Sequence, residues 1–526
     1  MKHILLLLPL VLSAAVPQQL RFAINGDPKM FDVLMVAESN SETIRYLTAG
    51  VLLRVNRTTD VPQPELAESF QVKEGGRAIT FKLRPNLQFS DGTPLTAADV
   101  ERTLRRALDP KSGSPTGDTL RAGDTAPEIL VANPREITLR YKAPKPGIDR
   151  LFDSVGIAPP VQTKLPPSSG AFFVAEYQPG TFVLLRRNSH YFKRDAKGVQ
   201  LPYLDSIRLD IQANADIALT RYQRGEFHLI NKLDADSFDR LQKTQNNSVR
   251  SLGPSLDPEF IWFNQAPAKT LPEWKRAWFT SAAFRHAVSS AIRREDMARI
   301  VFKGHAHPAV GPISTANRFW VNAALKPPVL DTKGGLAQLA KEGFTLRGNV
   351  LRDKGNHAVE FSLITQAGKR PRERMASLVA DDLKALGIKV NVVTLDFGSL
   401  LDRISKSLDY EAALLGFENV DADPSEEMNV WLSSGAQHAW WPAQKTPATA
   451  WEARIDKLEL AQAAEGVRAN RKNLVDEFQK IVREEEPIIY LLNPDYLVAV
   501  SPSLKGVQPV VVPPQILWNA EWLRFE

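Results

Sequence analysis

Eight histidines occur in the 526 residues, and two of them share one short loop, Gly304-His305-Ala306-His307-Pro308. Two imidazoles alone make a weak metal site, because four-coordinate ions recruit more ligands. No metal and no cofactor is therefore expected. Catalytic signatures are missing as well. The chain has no Gly-x-Ser-x-Gly elbow, no His-Glu-x-x-His helix and no cysteine to act as nucleophile or zinc ligand. Nothing singles out two carboxylates as a glycosidase pair. The chain is read as a non-enzyme, with a secreted hydrolase as the competing class.

The segment Gly416-Phe417-Glu418-Asn419-Val420-Asp421-Ala422-Asp423-Pro424 carries Glu418 and Asp421, which on residue type alone read as solvated loop carboxylates. All ten tryptophans lie from Trp262 onward, with Trp440 and Trp441 adjacent in a stretch rich in Gly, Ala, Gln and Pro. Large aromatics usually pack cores, and the alternative is that some of these rings line a ligand cleft.

The elements that must position such residues are legible as periodicities. Leu20 to Asn25 is a short extended run that stops at Gly26-Asp27-Pro28. Apolar residues alternate from Ile79 to Leu83, as in a half-buried strand. Thr96 can cap a helix with Asp99 at its positive end, and Val100, Leu104 and Leu108 recur on one face. Residues 109–127 read as a long surface excursion. Phe172-Phe173-Val174 and Phe182-Val183-Leu184-Leu185 flank Pro179-Gly180, predicting a hairpin. Met375, Leu378, Val379, Leu383 and Leu386 mark a helix that Gly387 ends, and Ile388 to Val393 resumes as a strand. Strand–helix–strand order predicts an α/β fold.

A length of 526 residues implies two or three domains. A net charge of +6 with no basic run gives no reason to expect nucleic acid. Lys2, the apolar stretch Ile4 to Leu12 and Ser13-Ala14-Ala15 have the layout of a cleaved signal peptide covering residues 1–15, too short to span a bilayer. Without cysteine there is no disulfide and no lipid attachment through cysteine. A soluble exported protein retained by its cell points to the periplasm.

Three blocks at close spacing carry a resemblance: Pro64-Glu65-Leu66-Ala67-Glu68-Ser69-Phe70, then Thr80-Phe81-Lys82-Leu83-Arg84, then Phe89 through Val100. They resemble the "PxLAESW … FxLRxxxxFxDGxPLTAxDV" pattern of the bacterial extracellular solute-binding proteins of family 5. Gly170-Ala171-Phe172 with Leu185-Arg186-Arg187-Asn188, the helix from Arg285 to Ile292, and Glu486-Pro487-Ile488-Ile489-Tyr490-Leu491 match further family blocks in order. The resemblance implies a type II periplasmic-binding fold of two α/β lobes, with mixed sheets flanked by helices, hinge strands between the lobes and an inserted third domain. Lobe I would comprise 16–53, 164–255 and 486–526, the insert 54–163, and lobe II 256–485.

It also implies a monomeric binding component of an ABC importer that closes on a small peptide and delivers it to membrane permease subunits. A non-peptide solute of the same family (oligosaccharide, nickel complex or haem) is the alternative. In peptide binders of the family, an Asp of the "GWxxDxxDP" loop pairs with the peptide ammonium. Anchoring on Asp423-Pro424 puts Val420 at that position, leaving Asp421 or Glu418 to serve. By the same similarity Gly416 and Phe417, Phe397, and Phe263 with Asn264 border the cleft, and Trp440 and Trp441 are further candidates.

Overall fold

The computed structural model describes residues 18–121, 126–145, 147–161, 163–417 and 422–526. The expected signal peptide, 1–15, and the candidate residues Glu418 and Asp421 lie outside the described residues.

Among the described residues, a mixed sheet of twelve strands organises the chain. Its main path runs Lys389–Leu395, Glu360–Gln366, Ala412–Gly416, Glu259–Phe263, Ile488–Val500, Leu229–Ile230, Gln19–Ile24, Ser206–Ile211, Phe182–Arg187 and Phe172–Gln178. The central strand, Ile488–Val500, has 13 residues and spans roughly 40 Å at about 3.3 Å per residue. Its first part pairs with Glu259–Phe263, where Tyr490 faces Phe260. Its second part pairs with Val249–Pro254 and with Leu229–Ile230, where Val500 faces Leu229. One strand thus belongs to two bodies. The chain crosses a second time between Val249–Pro254 and Glu259–Phe263.

The cores follow from strand alternation. In Glu259–Phe263, Phe260 and Trp262 join an aromatic cluster with Trp431, Trp440 and Phe478. Ile261 and Phe263 point the opposite way, into a cluster with Phe279, Phe284 and Phe361. A strand covered on both faces must be apolar throughout, as this one is. The first body packs Leu20, Phe22, Leu185, Leu209, Val498 and Leu523 together.

A separate four-stranded sheet, Ala67–Lys73, Ala78–Leu83, Glu136–Arg140 and Glu128–Asn133, carries its own core. Helix Ala97–Leu108 lays Val100, Leu104 and Leu108 on it, and Phe81 meets Phe152 edge-on at 4.6 Å. The Thr96 amide donates to Asp99 at 2.8 Å, so the expected cap is in place. The predicted excursion 109–127 holds more order than its composition suggested: Pro110–Ser112 forms a 3-10 turn and Pro115–Arg121 a helix. Proline stands at the first position of both, where its missing N–H is harmless.

Candidate binding cleft

The strand directions define the site. Glu360–Gln366 runs parallel to both Lys389–Leu395 and Ala412–Gly416. The carboxyl ends of these three strands, at Gln366, Leu395 and Gly416, therefore share one edge. Gly416 pairs with Glu259, and Glu259 with Leu492, the point from which the long strand leaves for the first body. This edge faces the first body. There, Gln19–Ile24 is parallel to Ser206–Ile211 and Leu229–Ile230, and Ile230 pairs with Ala499 of the returning long strand. Those carboxyl ends face back. Two sets of parallel strands thus aim their carboxyl ends at one crevice, where α/β sheets bind ligands.

On the second-body wall, Gly416 sits in tight quarters. A Cβ there would lie 2.7 Å from the Pro258 carbonyl oxygen and 2.9 Å from both Arg372 Nη2 and Glu259 Oε2. Arg372 Nε donates to Glu259 Oε2 at 2.9 Å. Burial pushes the Glu259 carboxyl above its usual range although Arg372 pulls the other way. Phe417 follows and packs on Phe260 with ring centroids 4.8 Å apart. Phe397 opens the short helix after Lys389–Leu395 and is 49% exposed at the same edge. Where the chain crosses, Lys232 Nζ stands 3.9 Å from Asp257, and Asn231 donates to Gln515 at 3.0 Å.

Four candidates lie elsewhere. Phe263 and Asn264 end their strand at the opposite edge, where Phe263 pairs with Ala412. Phe263 stacks on Phe279 at 4.8 Å. Asn264 is fully buried and donates to the Leu408 and Tyr410 carbonyls at 2.9 and 3.0 Å. Trp440 is buried in the aromatic core, its indole donating to Glu452 at 2.9 Å, and its carbonyl accepts from the Gln265 amide. Trp441 is partly buried against the same core. Of the two loop histidines, His305 faces Asp239 at 2.9 Å and His307 faces Asp495 at 3.0 Å.

Sequence reasoning missed a charged cluster at the rim. Asp60 tips the hairpin between Leu53–Asn56 and Val61–Pro64 at φ 57°, a left-handed conformation that aspartate tolerates. Arg150 grips it with Nη2 to Oδ1 at 2.8 Å and Nη1 to its carbonyl at 3.1 Å. From the second body, Arg468 Nη2 reaches Asp60 Oδ2 at 2.7 Å. Arg471 Nη1 holds Asp423 Oδ2 at 2.7 Å, and Arg150 Nε stands 3.9 Å from that oxygen. No local pattern could have found this cluster, since Asp60 and Arg468 are 408 residues apart. Asp423 alone was legible, as the anchor of the Asp-Pro loop.

A family model described as bacterial extracellular solute-binding proteins, family 5 Middle, matches residues 61–439. The chain is 24% identical over 543 residues to the oligopeptide-binding protein AppA of Bacillus subtilis, across 97% of this chain and 93% of that one. It is 23% identical over 490 residues to a "Probable ABC transporter-binding protein" of Deinococcus radiodurans, across 85% and 82%. Among solved structures, NikA from Brucella suis in complex with Fe(III)-EDTA superposes with TM-score 0.81 at 19% identity, covering 97% of this chain and 100% of that one. AppA from Bacillus subtilis in complex with a nonapeptide superposes with TM-score 0.70 at 22% identity, covering 97% and 99%. At such identities the structural likeness speaks to the fold.

Proposed function

The chain belongs to the bacterial extracellular solute-binding proteins of family 5, and from that premise we propose that it takes a peptide or peptide-like solute into the crevice between its two lobes. With the Deinococcus radiodurans relative a "Probable ABC transporter-binding protein", it is the substrate-binding protein of an ABC transporter. The observation that carries the site is the opposition of two sets of strand carboxyl ends across the crossing strands. The oligopeptide-binding relative, matched along 97% of this chain, favours a peptide as the solute.

In this reading the lobes close around the solute, and the closed form is what a permease recognises. Gly416, Phe417 and Phe397 supply backbone and aromatic surface on one wall, and Glu418 or Asp421 takes the solute ammonium. The lobes are residues 16–53, 164–255 and 486–526 on one side and 256–485 on the other, with 54–163 inserted. Three separate cores among the described residues support three bodies, although Ile489, Leu491 and Leu492 of the long strand pack in the core of 256–485, and Leu34, Leu52 and Leu53 in that of the insert. The protein works as an exported periplasmic monomer without catalysis. Among the described residues no helix is long and apolar enough to cross a membrane.

Thermal unfolding of the protein from Val16 onward, against di- to hexapeptides, oligosaccharides and metal chelates, tests this. A peptide at a hundred times its Kd adds about 2.7 kcal/mol of stability and is recovered intact by mass spectrometry. Stabilisation by a sugar or chelate alone would overturn the peptide assignment and keep the carrier role. Recovery of a cleaved solute would overturn the non-enzymatic reading.

A further inference from the structure

The rim cluster is built as two preorganised halves. On the inserted domain, Asp153 accepts from the Val55 amide at 3.1 Å and from Arg57 Nη2 at 2.7 Å. It thereby ties the Asp60 hairpin to the 3-10 turn Arg150–Asp153. Arg150 and Asp60 consequently move as one piece. On the second lobe, Arg468 and Arg471 occupy the first turn of helix Arg468–Glu485. Cations are mildly disfavoured at that end of a helix dipole, and facing carboxylates offset this. Arg471 has Asp423 from its own lobe. For Arg468 the facing carboxylate is Asp60 of the inserted domain, and its guanidinium also lies 3.9 Å from the Phe319 ring centroid.

These contacts lie far from the crossing strands in connectivity. The charge contacts near the crossing, such as Lys232 with Asp257, involve residues within a few positions of the crossing strands. The Asp60 hairpin has no covalent path to Arg468 except through both lobes. It meets the helix only when the lobes are together.

We propose that Asp60 and Arg150 of the insert and Arg468 and Asp423 of the second lobe form an electrostatic latch that holds the lobes closed in the solute-free protein. The proposal rests on the two-lobe carrier reading above. The latch is directional: Asp60 is offered to Arg468 by Arg150, and the same Arg150 extends its Nε toward Asp423. Each partly exposed pair contributes modestly, so the latch biases the open-to-closed ratio about three- to tenfold rather than locking it. Solute then binds a protein whose closed form is already populated.

Small-angle scattering of solute-free protein, with a donor–acceptor dye pair placed on the insert and on the second lobe, reads lobe separation directly. Arg468→Glu should lengthen the mean separation in 50 mM salt, and Arg468→Lys should stay near wild type. Raising salt to 0.5 M should open the wild type and change Arg468→Gln less, because part of what screening removes is already gone, while Arg468→Glu should close somewhat as its repulsion with Asp60 is screened. Arg468 is partly exposed, and a matching thermal midpoint for Arg468→Gln checks that the fold survives. Equal separations for wild type and Arg468→Glu at low salt would overturn the latch, as would a wild type indifferent to salt. Should a solute close the wild type while Arg468→Glu matches it without solute, the latch alone fails. Should no solute ever change the separation, closure itself fails.

Discussion

Arg471 grips Asp423 with both terminal nitrogens, and the Ser425 amide donates to the same carboxylate at 3.0 Å. The pair joins the first turn of helix Arg468–Glu485 to the end of the site loop, so the loop's exit is fixed by a residue far along the chain.

Asp423→Asn keeps the shape and removes the charge. Opposed by burial but held down by Arg471, the Asp423 carboxyl sits below its usual range. Stability from a depressed carboxylate is present above the unfolded value of 3.8 and is lost as pH falls through the folded one. Urea unfolding at pH 7 should show a loss on the order of 3 kcal/mol in the variant. At pH 3 the gap to wild type should shrink.

Glu459 gives the opposite sign. Burial, with the nearby Glu427 and Asp423 charges, pushes its carboxyl up to about 8 against the bond from Gln462 at 3.1 Å and the pull of Arg471. A raised carboxyl favours folding below the unfolded value of 4.5, and that contribution fades as pH rises toward 8. Glu459→Gln, neutral throughout, should be more stable than wild type at pH 8 by about 4 kcal/mol. The two proteins should converge below pH 4.5. A variant whose advantage over wild type shows no pH dependence would contradict the placement.

Gly416→Ala inserts a methyl 2.7 Å from a backbone oxygen, which cannot swing aside as a side chain would. Overpacking of this kind costs about 1–3 kcal/mol. The thermal midpoint should fall, and solute affinity should fall with it because Phe417 is the next residue. Unchanged affinity in a destabilised protein would remove this edge from the site.

Arg285 is buried and donates to the carbonyls of Glu485, Glu486 and Phe279, with Nη2 to Glu485 at 2.6 Å. It closes the end of the helix that begins at Arg468, where a cation suits the dipole. Burial lowers its pKa to about 10, so it stays charged at neutral pH. Arg285→Met leaves these carbonyls without a donor and should cost about 3 kcal/mol in denaturant unfolding. Arg285→Lys should recover only part, since one ammonium does not reproduce the planar fork.

Local structure was readable wherever a short period or a single special residue decides it. Val100, Leu104 and Leu108 sit on one buried helix face, and the hairpin at Pro179-Gly180 has Gly180 at φ 69°. Gly387 ends its helix at φ 73°, and the strand that follows is Lys389–Leu395. The helix Pro115–Arg121 was not readable, because Gly, Ser, Thr and Asp composition masks a helix that tertiary contacts stabilise.

Gly416, Phe417 and Phe397 were expected at the cleft from the family resemblance, and the structure sets them on one sheet edge. Phe263 ends a strand of the same sheet and Asn264 follows it, yet that strand is antiparallel to Ala412–Gly416, and its end falls on the far side. Strand direction reverses which end of a sequence segment meets the cleft, and one segment read alone carries no such information.

The sequence by itself determined the elements, their capping and the family, because these depend on neighbours within about ten positions and on motif blocks in a stated order. Only the tertiary structure decided which strand ends face each other and which charges meet. Asp60 and Arg468 become partners because a 13-residue strand and one crossing loop bring two lobes together. Contacts between residues so far apart in the chain are set by sheet order and lobe position, which no local period encodes.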